Sequence, residues 1–274
     1  MFLRRLIPAL AALILPLTAE PLPEGHFVDF IVVPVGPVPL AEFEKGAAPA
    51  AGGQGSGVQV KEVDPTEVPP NAVYVKKGNT TYQIPCFLNA IGTPVRTPVA
   101  DTEVTLQIKT GTAVDAMTSL EKCVVPADAR CVLVLLTKPL GEKKWTKPTV
   151  TFIPVPQSQV PQILVANASM AASCGAVFEG ATKILLPPLK RHVWKPAPGK
   201  AQPNAAVALA MNGGGKFLPS LYEDRLTLAK GSTSILIAYE VTAQESFRGG
   251  KYAASTVPPG EFRPATEYPE KKTP

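Results

Sequence analysis

Proline decides what this chain can become. It supplies 31 of the 274 residues, about twice the usual share of roughly 5%. Inside a helix proline removes an amide donor and clashes with the preceding turn, whereas strand edges and turns tolerate it. No stretch sustains a 3.6-residue apolar period. Short runs rich in branched and aromatic residues recur instead, punctuated by turn residues about every 10 positions, which is the pattern of β-sandwiches. Apolar residues make up 45% of the chain, enough to fill real cores. The expectation is an all-β protein.

The first nineteen residues read differently. Arg4 and Arg5 form a short positive start, Leu6 to Leu17 is an uncharged apolar run, and Leu17-Thr18-Ala19 offers small residues for a signal peptidase. The run is shorter than the roughly 20 residues a membrane-spanning helix needs. Residues 1–19 are therefore expected to be a signal peptide, the mature chain to begin near Glu20, and the product to be exported to the periplasm, outer surface or exterior. No cysteine sits near the cut to carry a lipid anchor.

The rest divides by composition. Residues 20–57 hold one strand, His26 to Val35, and then an Ala/Gly/Pro-rich linker. Residues 58–156 and 157–256 are expected to be two β-sandwich domains of immunoglobulin-like or similar type, with a hinge at Gln157 to Pro161. Residues 257–274, proline-rich and scattered with charge, are expected to be a disordered tail. Ala113 to Lys122 and Phe217 to Asp224 have room for one helical turn each.

The two expected domains look related. Tyr74 to Thr80 and Ala176 to Thr182 are 102 positions apart, which lays Gly78 on Gly180 and Pro85 on Pro187. The same shift lays Val132-Leu133-Val134-Leu135 on Ser234-Ile235-Leu236-Ile237. With one extra residue, Val104 to Ile108 matches Val207 to Met211. Three blocks in order favour tandem duplication of a unit of roughly 100 residues. Glycine at 78 and 180 falls where a tight hairpin needs positive φ.

Reactive chemistry is sparse. The chain has two histidines, His26 and His192, and no Gly-x-Ser-x-Gly elbow, zinc-type or calcium-type motif. A blue-copper site needs two histidines and a cysteine converging, usually with methionine; His192 has neither cysteine nor methionine close by. A glycan hydrolase would have to draw its pair of carboxylates from Glu103, Glu179, Glu223 and Asp224. Asn212 to Lys216 is glycine-rich but lacks phosphate-loop spacing and reads as a hairpin tip. No catalytic residue, metal ligand or cofactor is assigned; a copper carrier and a carboxylate-based hydrolase remain the alternatives.

Four cysteines occur. Cys123 and Cys131 flank a polar turn and are expected to bridge across a hairpin as a disulfide. Cys86 and Cys174 are either paired or free and buried. Asn79-Thr80-Thr81 and Asn167-Ala168-Ser169 match the glycosylation acceptor pattern. After Arg4 and Arg5 leave, 25 basic side chains face 22 acidic ones, no demand for nucleic acid. The one basic-aromatic cluster, Arg191, His192, Trp194 and Lys195, is a candidate binding patch, against the plainer reading of an amphipathic strand; Trp145 is the other exposed-tryptophan candidate. Taken together, the sequence describes an exported non-enzymatic binding or structural protein, with another envelope protein or a polysaccharide as partner. The oligomeric state is open.

Overall fold

A computed structural model describes residues 26–39, 43–45, 58–60, 62–99, 103–109, 117–126, 129–138, 142–197, 204–213, 216–217, 221–228, 231–240, 252–257, 263–264 and 266–268. The expected signal peptide lies outside them, as do most of the linker and residues 113–116 and 218–220. Among the described residues the chain is all-β, without a helix. It follows that no helix there is long and apolar enough to cross a membrane.

In the first half, β1 (His26–Val35), β4 (Val95–Val99), β7 (Cys131–Thr137) and β8 (Thr149–Pro154) form an inner sheet in the order β8-β7-β1-β4. Strands β2 (Ala72–Lys77), β3 (Thr80–Pro85), β5 (Glu103–Lys109) and β6 (Met117–Val124) form an outer sheet, β3-β2-β5-β6. The second half repeats both. Its inner sheet, β16-β15-β9-β12, comprises β9 (Gln162–Asn167), β12 (Arg191–Trp194), β15 (Thr233–Glu240) and β16 (Tyr252–Val257). Its outer sheet, β11-β10-β13-β14, comprises β10 (Ser173–Phe178), β11 (Thr182–Leu186), β13 (Asn204–Gly213) and β14 (Tyr222–Thr227). Each strand thus has a counterpart eight strands later. The parallel pairs fall at matching places, β1 with β7 and β9 with β15; the other pairs within these sheets are antiparallel. The strand at 26–35, which sequence groups with the linker, lies in the middle of the first inner sheet.

Registers make the correspondence residue by residue. Val75 faces Leu106 on β5, and Ala176 faces Leu209 on β13. The first hairpin closes Lys77 on Thr80 around Gly78-Asn79; the second closes Phe178 on Thr182 around Glu179-Gly180-Ala181. One residue is therefore gained at the turn. Gly78 and Gly180 both have positive φ, 58° and 65°, a region that costs other residues a Cβ clash. A second turn recurs as well. Ala90 N donates to Phe87 O and Lys190 N to Pro187 O, each at 3.2 Å, with Asn89 (φ 56°) and Leu189 (φ 57°) at the third position.

Three apolar layers hold the sheets. Val28, Phe30 and Val32 of β1 face Val73, Ile84 and Leu106 of the first outer sheet. Ile163 and Val165 of β9 face Cys174, Phe178 and Leu209 of the second. The opposite faces of the inner sheets meet each other: Ile31, Val33, Leu133 and Leu135 pack with Leu164, Ala166, Ile235 and Ile237. The order is outer, inner, inner, outer. Strands β7, β9 and β15 are therefore covered on both faces, which is why they read as unbroken apolar runs instead of alternating ones. At 157–161, the expected hinge, Gln162 Nε2 and Thr233 Oγ1 both donate to Pro156 O, at 2.6 and 2.9 Å.

Two local expectations are corrected. The described parts of the segments with room for helical turns hold strand instead: 117–122 and 222–224 belong to β6 and β14, which pair with β5 and β13. Asn212-Gly213 and Lys216-Phe217 pair as a hairpin. In the tail, Thr266–Tyr268 pairs antiparallel with β3 and Arg263–Pro264 parallel with β4; most of the expected disordered tail lies outside the described residues.

Candidate functional site

The polar residues of the seam gather where four equivalent strand ends meet. β1 runs out at Val35-Gly36 and β7 at Thr137-Lys138; β9 runs on to Ala168 and Met170, and β15 ends at Tyr239-Glu240. Between them lies a cleft of about 270 Å³. Lys138 and Glu240, which are 102 positions apart and so occupy matching places, line it together with Glu142. Asn89 braces one lip, donating from Nδ2 to Gly36 O at 2.7 Å and accepting from Gly36 N at 3.0 Å. The other lip is fixed by Ser169, whose hydroxyl donates to Glu240 Oε1 at 2.5 Å and accepts from the amides of Ala171 and Ala172. Loss of solvent lowers the Lys138 ammonium pKa, with Glu67 pulling the other way. Its Nζ sits 6.0 Å from the centre of the Trp145 ring.

The cleft thus brings one ammonium and two carboxylates beside the Val35, Ala168 and Tyr239 side chains, with Lys138 Nζ donating to Lys143 O at 3.3 Å and Glu240 held by Ser169. Ser169 gives its one hydroxyl proton to Glu240 and accepts from two amides, so its hydrogen-bonding capacity is used within the lip. Sequence reasoning missed this site because its residues come from four separate strands. The one signal available was the matching position of Lys138 and Glu240 just after two aligned apolar runs.

The residues singled out from sequence are placed elsewhere. The candidate patch splits by strand alternation. Arg191 and Lys195 are exposed, and Arg191 Nη1 donates to Phe152 O at 3.4 Å. His192 is half-buried, and burial lowers its imidazole pKa. Trp194 is turned inward, stacked on Phe178 with ring centres 5.0 Å apart, so it offers no platform to a ligand. Trp145 is 2% exposed and belongs to the first core.

The expected Cys123–Cys131 disulfide is corrected: all four cysteines are free. The segment between the two crosses from the first outer sheet to the first inner sheet. Cys123 therefore points into the first core, opposite Val104, while Cys131 lies beside Asp29 and packs against the seam. Cys86 and Cys174 occupy different cores. Burial pushes each of the four thiols up to about 12, the Asp29 carboxylate adding to the push at Cys131. Asp29 itself is held by Arg96, which donates from Nε and Nη2 at 2.9 and 3.2 Å.

Of the two acceptor triplets, Asn79 is exposed at a hairpin tip. Asn167 is 1% exposed, and its amide nitrogen donates to the carbonyls of Ala172, Leu186 and Pro187. Of the acids weighed for glycan chemistry, Glu103 pairs with Lys122, Glu179 accepts from Ala206 N, and Glu223 and Asp224 lie together on β14. Among the described residues no three His, Cys, Asp or Glu side chains gather as metal ligands would. The chain matches no described protein family, and no curated protein is similar to it in sequence.

Proposed function

We propose that the chain is an exported, non-enzymatic binding or structural protein of the envelope or exterior, built from two immunoglobulin-like or similar sandwich units in tandem. The observation that carries this reading is the shared apolar layer between the inner sheets. It joins the halves face to face and covers the inner sheets on both sides, so a partner would meet the outward faces, the sheet edges or the seam cleft. The charged amino-terminal start and apolar run supply the export half of the argument.

The test is affinity capture. The tagged mature chain is incubated with envelope fractions of its host, washed, and assayed for retained protein and polysaccharide. A specific partner or polymer is the expected result; repeated capture of neither would overturn the reading. Sequencing the amino terminus of the secreted product checks export separately, and is expected to give a start near Glu20.

A further inference from the structure

One edge of the first half is closed by the chain's own tail. Thr266, Glu267 and Tyr268 pair with Gln83, Tyr82 and Thr81 of β3, and Arg263-Pro264 pairs with Val95-Arg96 of β4. Two short strands of the tail thus cap the inner and the outer sheet. The counterparts in the second half are Lys183, Ile184 and Leu185 of β11, and Trp194-Lys195 at the end of β12. Among the described residues no strand pairs with either of these edges. Leu185 is 56% exposed there, and Ile184 is only partly buried against the second core.

A bare edge strand presents a row of unpaired amides and carbonyls, a template for another chain. Its charge is one-sided. From Gly180 to Ala197 the sequence carries Lys183, Lys190, Arg191 and Lys195 and no acid; all four are exposed. The matching stretch of the first half, Thr80 to Val99, carries only Arg96, which is paired with Asp29.

We propose that the β11 and β12 edges of the second half receive an extended acidic segment of a partner protein, which adds a strand antiparallel to β11. Backbone hydrogen bonds supply the affinity. Acidic side chains fall beside Lys183 and Lys195, and the alternate, apolar side chains cover Ile184. The inference rests on the reading of the chain as a binding protein, and adds the surface and the class of partner.

The probe is a fluorescein-labelled peptide, Glu-Val-Glu-Val-Glu-Val-Glu, titrated with the full mature chain and followed by anisotropy. Two control peptides accompany it: one with lysine in place of every glutamate, and one with proline at the central position, which keeps the charge and blocks the ladder. The acidic peptide is expected to saturate and both controls to bind about tenfold more weakly or worse, a loss of about 1.4 kcal/mol or more. Lys183→Glu and Leu185→Asp are each expected to weaken binding by a similar factor. Both sites are exposed, so the melting temperature should not move.

Equal binding of the proline peptide would reduce the effect to bulk electrostatics and overturn the proposal. So would undiminished binding by both variants, or no saturation up to about 1 mM, in which case the lysines serve as edge protection. Self-association of the chain that Leu185→Asp abolishes would make the occupant a second copy and overturn the acidic-partner assignment. Failure here together with a partner captured from envelope fractions would leave the broader reading intact.

Discussion

Ile237 tests whether the seam makes two halves into one folding unit. Its side chain is fully buried, between sheets contributed by residues on both sides of 157–161. Truncating a buried isoleucine to alanine costs about 2–5 kcal/mol, more where the surroundings cannot close over the hole. Here the neighbours sit on paired strands of two facing sheets, which places Ile237→Ala at about 3–4 kcal/mol. With a urea dependence of about 3 kcal/mol per molar for a chain of this size, the midpoint should fall by about 1 M. The two tryptophans report separately, since Trp145 lies in the first core and Trp194 in the second. Trp194→Phe leaves only the first reporter, and Trp145→Phe only the second. In both backgrounds Ile237→Ala should move the fluorescence midpoint by the same amount. A Trp194 signal that shifts while the Trp145 signal stays put would refute the argument, because it would mean that the halves unfold independently.

Gly78→Val should destabilise by about 1–2 kcal/mol in thermal melts, since nothing lies within 4 Å of an added Cβ and the whole cost is backbone; Gly78→Asn should cost less. Leu189→Asn should raise stability by about 1 kcal/mol, because it moves a left-handed position from leucine to a residue that tolerates it, as Asn89 does in the matching turn. The four thiols should resist a thiol reagent at pH 8 in the native protein and all react in denaturant. Their values rise from 9.0 in the free thiol to about 12 on folding. The stability they contribute is thus complete below pH 9 and is lost as pH climbs towards 12.

Much of the strand pattern can be read from sequence, and the places where reading fails share a cause. The glycines at 78 and 180 announce their hairpins because only a residue without Cβ meets that φ cheaply. The runs at Val132–Thr137 and from Ile235 onward show apolar residues without alternation, the mark of strands covered twice. One-sided cover defeats the reading of Arg191 to Lys195. Alternation there says that His192 and Trp194 share a face, but not that this face looks into a core. Cys123 and Cys131 fail for another reason: a short polar stretch that turns a hairpin and one that crosses between sheets are built from the same residues. The seam cleft was hidden by distance along the chain, because four strand ends come together only once both inner sheets exist. The paired strands in the tail were hidden by proline, which argues against a central strand yet permits an edge.

The doubly covered strands also fix how the molecule can be divided. A gene cut at residue 157 would encode two products, each keeping the hydrogen bonds among its own four inner strands, the first losing only the tail's pairing with β4. Each would carry Val33 and Leu135, or Ile235 and Ile237, on a naked flank that in the intact protein never meets water. Such fragments should cling to one another or precipitate, so the two halves should be made and kept as one polypeptide.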